Sequence, residues 1–195
     1  MTRAQNAVPH DDTGRSIPRD ARELLDFWRA AGRARWFAKD EAFDAEFAGR
    51  FRDAHYRAAR LGLENWILRP ESALALILLL DQYPRNAFRG TAHMFATDGL
   101  ALRYARQALA ADFLPRVDPA LRNFICLPFM HAEDLKVQDE SVALYTVHVP
   151  DSLYWAVEHR AVIQRFGRFP HRNAVLGRDT TAEERRFLDE GGFAG

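Results

Sequence analysis

Pro70-Glu71-Ser72-Ala73-Leu74-Ala75-Leu76-Ile77-Leu78-Leu79-Leu80-Asp81-Gln82-Tyr83-Pro84-Arg85-Asn86-Ala87-Phe88-Arg89-Gly90 is the stretch that decides the fold. Its first three residues open a helix, with proline where the missing N–H costs nothing and Glu71 near the positive end of the dipole. The body, Ala73 to Leu80, is apolar on every side, so the helix must be covered all round and belongs at the centre of the packing. Pro84 disfavours helical geometry at Tyr83, which predicts that the helix ends there and presents Asp81, Gln82, Arg85, Asn86 and Arg89 at a surface or cleft. Two readings of that polar end stay open. Asp81 pairs with Arg85 or Arg89 and pins a helix terminus, or Arg85 and Arg89 grip a carboxylate or phosphate with their forked donors.

A second loop nearly repeats the first. Phe169-Pro170-His171-Arg172-Asn173-Ala174 again sets an aromatic, a proline and Arg-Asn after an apolar helix. The two loops are the best pointers to a functional surface and read as two walls of one candidate cleft.

Working outward, every other segment is also helical. Leu24, Leu25, Phe27 and Trp28 recur at helical spacing between Pro18 and Ala31, and Gly32 closes that segment. Phe43, Phe47, Phe51 and His55 form an aromatic stripe on a helix from about Asp40 to Leu61. Thr97 and Asp98 start another, with Leu100, Ala101, Tyr104, Ala108 and Leu109 inward. Asp118-Pro119 opens a helix that Pro128 interrupts. A further helix is expected from about Phe129 or His131 to Val147, and another from Pro150 to Phe166. Thr181-Ala182-Glu183-Glu184 reads as a capping box. The expectation is an all-α fold of about eight helices packed as antiparallel hairpins, a tetratricopeptide-like bundle or short solenoid with no strand.

Composition bounds the rest. At 195 residues and 48% apolar, the chain suits one domain, 18–195, preceded by a polar, flexible arm, 1–17. Net charge is zero, so neither nucleic acid nor an anionic membrane is an expected partner, and binding must come from local clusters. All but Lys39 and Lys136 of the 27 basic side chains are arginine, which discounts any single arginine as a signal. Cys126, the one cysteine, lies in an apolar run and reads as core. With no signal-like segment and no run near the roughly 20 residues of a span, a cytoplasmic protein is expected.

Two further constellations could carry chemistry. His131, Glu133 and Asp134 lie together, with His131, Asp134 and Gln138 at helical spacing; a histidine beside carboxylates suits acid–base work or half of a metal site, and acids near a helix start suit its dipole equally well. Trp155, His159, Val162, Ile163 and Phe166 share a helical face, where His159 reads first as a hydrogen-bonded core residue. Arg165, Arg168, His171, Arg172 and Asn173 follow in a segment broken by glycine and proline.

In these segments the chain resembles a widespread bacterial family catalogued as domain of unknown function 924. The stretches that carry it are LLDFW (24–28), WF (36–37), LLLDQYPRNAFRG (78–90), ATD (96–98), LPFMHAEDLKVQ (127–138) and RFGRFPHRNAVLGR (165–178). The resemblance implies a tetratricopeptide-like all-α fold and brings no established activity, substrate or cofactor.

Three functions follow as expectations. The first is a binding module whose cleft, lined by Asp81, Arg85, Asn86, Arg89, His131, Asp134, His159, Arg168, His171, Arg172 and Asn173, holds an anionic small molecule or a peptide carboxylate. The second is a hydrolase-type enzyme with His131 or His171 as base and Glu133 or Asp134 as orienter, or a metal-assisted variant held by His131, His171 and a carboxylate; no nucleophile or phosphate-loop motif accompanies it. The third is a protein-binding scaffold, which exposed aromatics such as Trp36, Trp66 or Tyr154 in one contiguous patch would support. Oligomeric state is open.

Overall fold

The structure is a computed structural model that describes residues 17–193. The expected arm therefore lies outside the described residues except for Ile17, which is buried with the core rather than part of a solvated tail.

Among the described residues there are nine α-helices, several short 3-10 turns and no strand. In chain order the helices are α1 (Arg19–Ala31), α2 (Arg33–Trp36), α3 (Glu41–Ala59), α4 (Pro70–Ala87), α5 (Asp98–Ala110), α6 (Asn123–Met130), α7 (Leu135–His148), α8 (Leu153–Phe166) and α9 (Ala182–Asp189). Helix α4 is the hub. It packs against α1, α3, α5 and α6, and its residues Ala73 to Leu80 are all essentially inaccessible. The aromatic stripe of α3 forms as the spacing predicts, with Phe43, Phe47, Phe51 and His55 all buried. Helices α6, α7 and α8 pack in succession, and a smaller cluster of Val162, Ile163 and Phe169 with Phe166, Phe187 and Phe193 ties α9 to the end of α8. The Thr181 capping box is present.

Both proline expectations are corrected. Pro84 lies inside α4, which runs on to Ala87, and Pro128 lies inside α6. A proline at position 84 cannot donate to the carbonyl of Leu80, four residues back, and that orphaned acceptor is what normally ends a helix. Here the Thr97 hydroxyl donates to the Leu80 oxygen at 2.5 Å. The proline thus creates an acceptor, Thr97 fills it, and the start of α5 is fastened beside the last turn of α4. Asp98 follows as the first residue of α5. Replacing Thr97 with valine leaves a buried carbonyl unpaired, and is expected to cost about 1–3 kcal/mol in chemical denaturation.

Other boundaries differ for local reasons. Asp118 caps a 3-10 turn at Pro119–Leu121, and α6 starts only at Asn123. Instead of one helix carrying His131 and Asp134 on a shared face, the chain breaks between them. His131 ends α6, and Asp134 caps α7 by accepting from the Lys136 and Val137 amides. Gln138 closes the break, its amide donating to the Met130 and Ala132 carbonyls at 2.8 Å each.

Candidate functional site

The two near-repeat loops do come together, through their arginines. Arg85 grips Asp98 with both terminal nitrogens, at 2.8 and 2.9 Å. The Arg172 guanidinium approaches the same carboxylate only to 3.5 Å. It is sandwiched between the rings of Phe95 and Phe169, 4.4 Å from each centroid, and its Nε has no partner. Burial first, then the nearby Arg85, pulls the Arg172 pKa down to about 10. Arg22 and Arg122 also have an unpartnered Nε, but those side chains are only half-buried. Arg172 is 6% exposed.

His131 joins this cluster through Asp81. The fully buried Asp81 takes the His131 Nδ1–H on Oδ1 at 2.7 Å and the Gln82 amide on Oδ2 at 2.6 Å, with Arg85 at 3.4 Å. Burial would raise the Asp81 pKa, but His131, Arg85 and Gln82 outweigh it and hold the carboxyl well below the usual range. Asp81 is therefore an ionised acceptor, and Nδ1 of His131 must carry the proton. Burial, with Arg85 second, lowers the His131 pKa despite that contact.

Two further imidazoles, both neutral, complete the group. His159 donates from Nδ1 to the Trp155 carbonyl, and burial followed by the nearby His131 lowers its pKa to about 3. His171 has a buried Nδ1 with no partner, and burial followed by Arg172 lowers its pKa to about 4. Phe193 covers both rings, with centroids 4.3 Å from His159 and 5.5 Å from His171.

The remaining expected site residues belong to the scaffold. Asn86 and Arg89 turn away to Asp44 on α3, at 2.6 and 2.5 Å, clamping the end of α4. Arg168 is bidentate to Glu184, and Asn173 meets Glu184 and Arg178, which pins the capping box of α9. The Arg168 hydrogen bond leads the contacts that hold the Glu184 pKa near 2. Asp134 is a helix cap. Glu133 is locked by Arg178 at 2.6 and 3.0 Å and by the Phe169 amide at 2.7 Å, so neither acid orients His131. Asp81 does that instead. The proposed metal variant lacks its geometry: among the described residues no three His, Cys, Asp or Glu side chains are disposed to hold an ion. Cys126 is core, its thiol pushed up to about 12 by burial.

Asp98, Phe95 and Phe193 were not singled out by sequence reasoning as site residues. For Asp98 the usable signal was its place in ATD (96–98), among the stretches carrying the family resemblance. The scaffold's aromatic patch does not form, because Trp66 is buried, Trp36 donates its indole N–H to the Trp28 carbonyl, and Tyr154 alone of the three is exposed. Trp155 is also exposed, outside the apolar face assigned to it. Two surface grooves lie away from the cluster. The larger, about 400 Å³, runs between α5 and α7, where Arg106 and Glu140 neutralise each other.

The bacterial family described as a protein of unknown function, DUF924, matches residues 24–192. The chain belongs to this family. A solved structure of the protein of unknown function ATU0120 from Agrobacterium tumefaciens is 52% identical, covers 88% of this chain and 97% of its own, and superposes with a TM-score of 0.85. No curated protein matches the chain. Members of DUF924 thus bring a fold without an assigned chemistry, and the site must be read from its own groups.

Proposed function

We propose that this DUF924 protein binds a small anion, a carboxylate or phosphate, against Arg172 and Arg85 with His131 and His171 beside them. The observation that carries the reading is the Arg172 guanidinium, buried between two aromatic rings with a free Nε and only a distant share of a carboxylate that Arg85 already holds. A buried cation so poorly compensated is costly unless something neutralises it. An incoming anion would do so. It would also favour the protonated His171 imidazole that Arg172 and Arg85 now disfavour, so binding takes up a proton.

Cytoplasmic residence and a tetratricopeptide-type stacking of the hairpins are parts of the same proposal, supported respectively by the single buried thiol and by the helix succession. Net charge near zero supports a small ligand over nucleic acid.

The test is calorimetric titration with inorganic phosphate and with succinate. Arg172→Met keeps an apolar, similarly long side chain between Phe95 and Phe169 and removes the charge. It is expected to weaken binding by about tenfold or more, the loss of one charge-assisted hydrogen bond, while the melting temperature holds or rises. Arg85→Ala is a poorer probe, because Arg85 also ties Asp98 to α4. For the wild type, affinity should rise as pH falls from 7 towards 5, with proton uptake seen as a buffer-dependent enthalpy. Unchanged affinity in Arg172→Met overturns the assignment.

A further inference from the structure

Anion binding alone leaves one group in this cluster unused. With Nδ1 of His131 protonated and held by Asp81, the opposite ring nitrogen Nε2 is a lone pair with no protein partner among the described residues. Of the three imidazoles only His131 is backed by a carboxylate, since His159 donates to the Trp155 carbonyl and His171 Nδ1 has no partner. The Thr97 hydroxyl beside Asp98 is spent on the Leu80 carbonyl, the Cys126 thiol is buried in the core, and both chain lysines are exposed elsewhere. His159 and His171 are neutral, and Glu133 is ionised against Arg178, so no acid stands ready to protonate a leaving group. A lone pair on an imidazole that shares Asp81 with the Arg85 guanidinium, without an acid, suits a phosphoryl group whose leaving partner departs unaided.

We propose that His131 accepts a phosphoryl group on Nε2 from an activated phosphate of the acyl phosphate or phosphoramidate class. The inference rests on the anion-site reading above. The Nε2–P bond forms as the P–O bond to the acyl group breaks, and the electron pair leaves with the carboxylate. With phosphoramidate, whose zwitterion already carries three protons on nitrogen, the P–N bond breaks and its electron pair leaves on ammonia. The Nδ1 proton stays between the ring and Asp81, whose negative charge offsets the cation created on the imidazole. Water then attacks phosphorus and the Nε2–P bond breaks, returning the lone pair to His131. The water oxygen and both its protons leave as dihydrogen phosphate. Arg172, with its unpartnered Nε, carries the phosphoryl oxygens, and Arg85 adds its charge from the Asp98 side.

The experiment incubates the whole chain with phosphoramidate and, separately, with acetyl phosphate. Intact mass and peptide mapping under alkaline conditions then locate any adduct. His93 and His148 are exposed and act as internal controls. Expected is a base-stable, acid-labile phosphoryl adduct on His131, formed about tenfold or more faster than on the controls and absent in His131→Gln. Phosphate titration runs in parallel. Phosphate binding without an adduct on His131, or with one no faster than on His148, overturns the acceptor role and leaves the anion site standing. If neither binding nor adduct is found, both fall.

Discussion

Asp98→Asn is expected to destabilise the protein by about 3 kcal/mol, because breaking a largely buried ion pair strands the charge that remains. Here one carboxylate serves two guanidiniums, Arg85 in a bidentate grip and Arg172 at a longer distance. The amide keeps the shape and one acceptor but removes the neutralising charge, and it weakens the favourable acid at the start of α5. The same substitution probes function. Phosphate or sulfate should restore part of the lost stability in thermal unfolding, since an anion beside Arg85 and Arg172 takes over the carboxylate's role. A variant as stable as wild type, or one that no anion rescues, would show that the cluster is internally satisfied.

Leu78→Ala should cost about 4 kcal/mol, at the upper end for a leucine truncation in a core. Leu78 is fully inaccessible at the middle of α4, a helix covered by α1, α3, α5 and α6. Neighbours on all sides already belong to other helices, so the void cannot close by a local shift. Against a typical total of about 5–15 kcal/mol, that loss should lower the denaturant midpoint sharply with little change in slope. A cost under about 1 kcal/mol would mean that α4 is not the hub.

The centrality of α4 was legible because eight consecutive apolar residues leave a helix no face to expose. The α3 stripe and the Thr181 capping box were legible for the same kind of local reason. Pro84 was misread because a proline's effect depends on whether the carbonyl it orphans finds another donor. That donor, Thr97, lies beyond an intervening 3-10 turn, out of reach of local rules. The site was half legible. The near-repeat pointed to Arg85 and Arg172, and both reach one carboxylate. Asn86, Arg89, Arg168 and Asn173 looked equivalent in sequence, yet each meets an acid or arginine elsewhere in the fold. Spacing placed Glu133 and Asp134 beside His131 along the chain, whereas its actual partner, Asp81, lies 50 residues away.

If Arg172 is held ready for an anion, a crystal structure of the wild-type protein grown with phosphate will show that anion bound. A phosphate oxygen is expected within hydrogen-bond distance of Arg172 Nε, with His131 or His171 as a second partner. Phosphate absent from this cluster, with Arg172 Nε still unpartnered or met only by ordered water, would rule the anion site out.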